Sequence, residues 1–380
     1  MPKGNGAVPN NAGRIVRTIW QNPHISRVGI AERLGLSKST VTCQVSRLIE
    51  SGIIDEISEG AAGNRGGRRP IHLAMNHSLG RVIGIEVQVE AYVAVAVDLA
   101  GEILQELRGK VPAGWSDCSD MMNEVIREVT TTLCPDSKRL LGVGVGTGGL
   151  IDFRKGRIRY SVPLGVKFPV DFNTTVSAGH SCPCHIENDA NCCAWGELSF
   201  NHDEALRDFI FALVEFRHDS QSIGCGGGIG VGFGIVLNGK VYSGAHGNAG
   251  EFRSAFCEGP GELQLSLPKS ELARLDSDRG VLLAAIDELA RNMAMLVNTM
   301  DFERIYVGGD IEALDVDFPT LLRRRLEENW MYPLTKEVDI RYSSLGGKAV
   351  AYGAAGMILD RLVFEQTLPG LEALTVGQTS

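Results

Sequence analysis

The sequence predicts an α/β protein with a separate helical head, and three observations carry that expectation. From about residue 80 onward, strands alternate with glycine turns and helices. Glycine is frequent, 46 of 380 residues, and gathers in clusters such as GVGVGTGG and GCGGGIGVGFG, which suit close backbone turns better than a helical bundle. Charge is unevenly shared: the first 80 residues hold ten Lys/Arg and five Asp/Glu, a net of +5 against −9 for the whole chain, leaving −14 on the rest. A basic head on an acidic body points the head toward a polyanion.

With 44% apolar and 22% charged residues, the 380-residue chain can bury a core in each of two or three domains. The first residues, MPKGNGAVPNNAGR, lack the apolar stretch of a signal peptide. The longest apolar runs are broken by Glu, Gln or Gly, so no membrane partner and a cytoplasmic location are expected. Nine cysteines are then expected to be reduced. The dense group SCPCHIENDANCCAWGE holds Cys182, Cys184, Cys192 and Cys193, but no CxxC pair exists and the neighbours diverge on a strand and on a helix. These thiols read as small packing residues, with no metal.

The head, residues 1–78, reads as three helices and a hairpin. Ile15, Ile19 and Trp20 form a first apolar stripe that ends at Asn22-Pro23. Ser26 caps a second helix, Gly35 closes it, and Ser37 caps a third on which Val41, Val45 and Leu48 face inward. The outer side of that third helix presents Lys38, Ser39, Thr40, Thr42 and Arg47, with Cys43. Short hydrogen-bonding side chains and cations suit base edges and phosphates in a major groove. The strands IIDEIS and PIHLAM flank a glycine-rich loop with Arg65, Arg68 and Arg69, the form of a wing that touches phosphate or the minor groove. A winged helix-turn-helix whose partner is double-stranded DNA is the expectation.

In the body, LLGVGVGTGGLID is a strand running into a glycine turn, and PCHIENDANCCAWGELSF is a strand ending at Glu187-Asn188-Asp189 before a helix. Polar groups at that place are the usual ligand position of such sheets. GRVIGIEVQVEAYVAVAVD and the pair DFIFALVEF with GIGVGFGIVLNGKVYSG each read as a hairpin. Two hairpin starts, each followed by a strand–helix layout, predict two similar lobes around a cleft: residues 79–195, completed by a C-terminal helix over 346–380, and residues 196–345.

This pattern resembles the ROK group of repressors, open reading frames and sugar kinases, whose body is actin/hexokinase-like. The resemblance rests on GVGTGGLID at 144–152, IENDAN at 186–191, GIGVGFGIVLNGKVYSGAHGNAGE at 228–251, IYVGGDI at 305–311 and LGGKAVAYGAA from 345. With the head it runs through nearly the whole chain, and a winged head is typical of the group's regulators, including those resembling xylose and N-acetylglucosamine repressors.

In the group's kinases an Asp takes the proton from a sugar hydroxyl; Asp189 holds that position, and the resemblance places Gly149, Asn188 and Glu251 at sugar contacts. The nucleotide side departs from the pattern. Where kinases have Asp-x-Gly-Gly-Thr this chain has Glu86-Val87-Gln88-Val89-Glu90, which puts the Glu90 carboxylate where a phosphate would sit. Where they have Gly-Thr-Gly it has Gly228-Ile229-Gly230. The zinc-binding His falls on Ser254, Cys257 is the lone thiol nearby, and a further sugar-contacting Asn falls on Pro163. Asp189 and Asn188 also fit a structural role, the first capping the following helix and the second shaping the turn. The resemblance therefore implies a transcription regulator, most simply a repressor, working as a homodimer or higher homo-oligomer, sensing a small carbohydrate and using no cofactor. A sugar kinase with a DNA-binding head and a regulator controlled by a protein partner are the alternatives.

Overall fold

The computed structural model describes residues 11–59, 71–111, 114–201, 207–217, 228–261, 263–364 and 368. The head comprises α1 (Asn11–Gln21), β1 (Ile25–Ser26), α2 (Arg27–Leu34), α3 (Lys38–Glu50), β2 (Ile54–Glu59) and β3 (Ile71–Met75). The three strands form a small antiparallel sheet in the order β1-β3-β2. Ser26 accepts from Gly29 N and Ser37 from Thr40 N, so both caps fall where the sequence places them. Gly35 is left-handed (φ +65°) and lets its N–H reach Ala31 O, which turns the chain from α2 into α3. Ile15, Ile19, Ile30, Val41, Val45 and Leu48 are buried together beneath the helices.

Lobe I contains β4 (Arg81–Val87), β5 (Ala91–Asp98), β6 (Ile103–Lys110), α4 (Cys118–Leu133) and β7 (Leu140–Thr147). A small sheet of β8 (Leu150–Asp152), β9 (Arg157–Tyr160) and β10 (Val170–Asp171) follows, then α5 (Phe172–Thr175), β11 (Cys184–Asn188) and α6 (Asp189–Phe200). The main sheet runs β11-β7-β4-β5-β6, parallel across its first three strands and antiparallel across the hairpin.

Lobe II repeats the plan with β12 (Phe209–Arg217), β13 (Gly228–Leu237), β14 (Lys240–Val241), α7 (Lys269–Leu272), α8 (Arg279–Met300), β15 (Arg304–Gly309), α9 (Phe318–Asn329) and β16 (Asp339–Tyr342). Its sheet runs β14-β13-β12-β15-β16, again a hairpin beside parallel strands. The chain then returns through α10 (Ala349–Phe364) to pack on β4, β7 and α6. Of the C-terminal helix expected over 346–380, residues 365–367 and 369–380 lie outside the described residues, and Leu368 is buried in the core.

Close backbone contact fixes α10. A Cβ on Gly84 would stand 1.8 Å from Ala351 O, and one on Gly353 would stand 1.7 Å from Cys192 O. Glycine at both positions lets α10 lie directly on the sheet and on α6. The thiols Cys184, Cys192 and Cys193 are fully buried in this region and serve as packing residues. At its far end α10 meets the head: Arg17 of α1 donates to Asp360 Oδ1 at 3.4 Å, and one apolar cluster spans Ile15, Ile19, Ala355, Leu359 and Leu362. No helix among the described residues is long and apolar enough to cross a membrane.

Candidate functional site

The parallel strands of lobe I end at the cleft, and their last residues supply its polar wall. β11 finishes at Asn188, which opens α6 as its N-cap, accepting from Asn191 N at 3.2 Å. The amide of Asn188 donates to Gly149 O at 3.2 Å, so it also ties the glycine turn after β7 to the start of α6. The helix cap is thus Asn188, not Asp189. Asp189 is the first residue of the helix; its Oδ1 accepts from Ala190 N at 2.7 Å, and it lies against Gly148 and Gly232 from the two lobes. Gly149, Asn188, Asp189 and Glu251 all line one cavity of about 340 Å³, together with Tyr160, Pro163, Glu215, Gly228–Gly232 and Gln264. Pro163 holds the wall where the resemblance had an Asn, and contributes no polar group.

The turn that would cradle a phosphate is closed by its own side chains. Gln88 Nε2 donates to Glu86 Oε1 at 2.7 Å and reaches Glu215 Oε1 of lobe II at 3.5 Å. Glu90, expected to face the phosphate position, is exposed at the hairpin tip and does not line the cavity. Strand register explains the difference. Glu86 pairs in register with Gly146, as Glu187 does on the other side, so these two carboxyls point inward on one face while the tip of the hairpin stays in solvent. Burial pushes Glu86 up to about 7, with Asp189 adding to the rise, and pushes Glu187 up to about 7 in the same way. Glu251 is also raised to about 7 by burial and by Asp189, with Arg159 pulling it back. The register-paired Glu86 and Glu187 are the functional-region residues that sequence reasoning left without a role. The signal was there: each of the two strands carries a Glu next to its last residue, directly after an isoleucine.

These raised carboxyls make a stability prediction. The ordinary value is 4.5, so between about 4.5 and 7 the folded protein binds more protons than the unfolded chain. Their contribution is therefore most favourable below about 4.5 and declines as pH rises toward 7. Glu86→Gln should raise stability at pH 8 by on the order of 2–3 kcal/mol and flatten the change in melting temperature between pH 5.5 and 8. Melting curves that match wild type at both pH values would contradict this account of Glu86.

The loop in which the resemblance would place a zinc cluster is held by amides and hydroxyls. Gln264 Oε1 accepts from Val231 N at 2.8 Å, and its Nε2 donates to Val231 O at 2.6 Å and Phe252 O at 3.0 Å. Ser254, at the position of the absent His, is buried; its Oγ accepts from Asn292 Nδ2 at 3.0 Å and from Phe256 N at 3.1 Å. Ser266 donates to Glu288 Oε2 at 2.7 Å. Among the described residues no group of three His, Cys, Asp or Glu side chains gathers as a metal site would.

On the head, Lys38, Ser39, Thr42 and Cys43 are exposed on α3, and Thr40 and Arg47 are half-buried. The Thr42 hydroxyl donates back to Lys38 O, and Thr40 Oγ1 shares a hydrogen bond with Ser37 Oγ, so both are partly engaged within the helix. Ser39 Oγ likewise shares a hydrogen bond with Ser37 Oγ at 2.9 Å, so Lys38 and Arg47 are left as the side chains best placed to reach outward. Arg65, Arg68 and Arg69 of the expected wing lie outside the described residues.

A winged helix-turn-helix head on a two-lobed actin/hexokinase-like body is the class this architecture defines. Residues 10–55 match the winged helix-turn-helix DNA-binding family, and residues 82–253 match the ROK family. The chain is 29% identical over 242 residues to the xylose repressor of Bacillus subtilis (strain 168), covering 63% of this chain and 59% of that protein. It is 25% identical over 253 residues to the DNA-binding transcriptional dual regulator NagC of Escherichia coli (strain K12), covering 66% and 58%. The matched segment thus spans less than two thirds of the length of these curated relatives. Among solved structures, a ROK family transcriptional regulator homologous to the E. coli MLC protein superposes with a TM-score of 0.71 at 20% identity, covering 95% of this chain and 98% of that one. A ROK family glucokinase from Streptomyces griseus in complex with glucose and AMPPNP superposes at 0.54 and 20% identity, covering 73% and 99%.

Proposed function

We propose that this chain is a DNA-binding transcription regulator, a repressor, that acts in the cytoplasm as a homodimer or higher homo-oligomer. In this reading a small carbohydrate in the cleft controls it, and it transfers no phosphate. Its parts are a DNA-binding head over 1–78, lobe I over 79–195 completed by 346–380, and lobe II over 196–345. The observation that carries the reading is an asymmetry within one cleft. Gly149, Asn188, Asp189 and Glu251 stand together on an open cavity, while the turn that would cradle a phosphate carries Gln88 bridging Glu86 and Glu215, with no glycine pair and no hydroxyl. Phosphoryl transfer is mostly positioning and charge neutralisation, and a carboxylate-rich turn supplies neither. The names of the curated relatives and the winged head support the regulatory half.

The packing supports a route for control. Asn188 and Asp189 begin α6, α6 lies against α10 at Gly353, and α10 ends beside Arg17 of the head. A ligand that favours one arrangement of the lobes would thereby bias the placement of two heads on their half-sites.

The test uses a duplex selected from a random library by the full chain. Arg47→Ala should bind that duplex about tenfold more weakly with an unchanged melting temperature, because a lost base or phosphate contact costs about 1–3 kcal/mol. Unaltered affinity removes α3 from the interface. In parallel, ADP formation from ATP with a panel of hexoses and pentoses should stay at background; sugar-dependent turnover abolished by Asp189→Asn would establish a kinase instead.

A further inference from the structure

The cleft's lining also restricts the kind of sugar it takes, an inference that rests on the sugar-sensing reading above. Three carboxylates, those of Asp189, Glu215 and Glu251, line the cavity, and no Lys, Arg or His lines it among the described residues. Arg159, whose charge is felt by Glu251, turns its guanidinium to Asn248 Oδ1 and stays outside the lining. The backbone of β13, which could otherwise cup an anion, is engaged: Gly230 pairs in register with Glu215, and Val231 N donates to Gln264. An anionic group entering here would meet like charge with no compensating donor cluster. Neutral hydroxyls, in contrast, donate readily to carboxylates.

The cavity also has an apolar side. Ile229, Leu263, Leu265 and Leu272 of lobe II line it, and they belong to that lobe's core cluster. Ile229 stands in the turn where the resemblance expects a hydroxyl, so the former phosphate side is now partly greasy. The cavity, about 340 Å³, is larger than a single pyranose ring needs. Space remains beside the apolar wall.

We propose that the cleft takes an uncharged glycoside and rejects phosphorylated sugars. The sugar ring lies on the Gly149, Asn188, Asp189 and Glu251 side, and a neutral, partly apolar substituent lies against Ile229, Leu265 and Leu272. Hydroxyls on the ring satisfy the carboxylates, and the substituent displaces water from the leucine wall. The chain thereby responds to a conjugated sugar more strongly than to the free one.

Calorimetric titration of the full chain with D-xylose, phenyl β-D-xyloside, D-glucose, phenyl β-D-glucoside and D-glucose 6-phosphate tests this. One phenyl glycoside should bind about tenfold or more tightly than its parent sugar, and the sugar phosphate should bind at least about tenfold more weakly than glucose. Ile229→Ala should bring the phenyl glycoside back to the affinity of its parent while leaving the parent within about twofold. Equal affinity for parent and phenyl glycoside in wild type, or tighter binding of the phosphate, overturns the proposal whether or not the variant folds. Binding of none of the five probes, with no shift in melting temperature, overturns the sugar-sensing reading itself.

Discussion

Gly353→Ala is expected to destabilise the protein by about 3 kcal/mol or more, read as a fall in melting temperature or in urea midpoint. The new Cβ would lie 1.7 Å from Cys192 O, 2.4 Å from Cys192 C and 3.1 Å from Gly196 N, all backbone atoms that no rotamer change can move. α6 and α10 must then separate, and α10 cannot yield on its other side, because Gly84 already lies in contact with Ala351 O. Alanine is the better helix former by about 1 kcal/mol, so any net loss is attributable to the clash. Gly179→Ala, where the nearest foreign atom to the new Cβ is Asn123 Oδ1 at 3.7 Å, serves as the control and should change little. A Gly353→Ala protein that melts with wild type would mean that the two helices are not in the contact described.

Asp189→Asn should separate stability from response. The substitution keeps an oxygen for Ala190 N but removes a charge that raises Glu86, Glu187 and Glu251. Relief of that repulsion should leave the melting temperature at pH 8 equal to or above that of wild type. The effect of an added sugar on duplex affinity should fall by about tenfold or more, since a hydrogen bond to a charged group contributes about 1.5–3 kcal/mol. Duplex binding without sugar should not change. A variant that loses stability and keeps its sugar response would assign Asp189 to the fold alone.

Much of the fold was legible because its signals are local. Ser26, Gly35 and Ser37 punctuate the head in the chain itself, and the alternation through β4 and β5 is strong enough to fix the hairpin. The gathering of Gly149, Asn188, Asp189 and Glu251 was legible through the resemblance, since 39 residues separate the first pair in contact and Glu251 comes from the other lobe. Three details were not legible. Asn188 takes the capping role because the helix starts one residue earlier than its apolar pattern suggests. Glu86, in place of Glu90, is the buried carboxyl, a matter of which strand residues share register with Gly146. Gln264 carries no local signal in the sequence, because its three partners on Val231 and Phe252 are distant in sequence or in an irregular segment.

The amide stitching by Gln264 has a consequence for the conditions under which the cleft keeps its shape. A loop held by thiolates and a zinc ion loses its form when a chelator takes the metal or an oxidant takes the sulfur. Here Glu251 is positioned beside a segment that hangs on a glutamine, two serines, an asparagine and a glutamate, none of which a chelator or a mild oxidant can remove. Under the proposed sensing role, a chelator should leave the effect of added sugar on duplex binding unchanged.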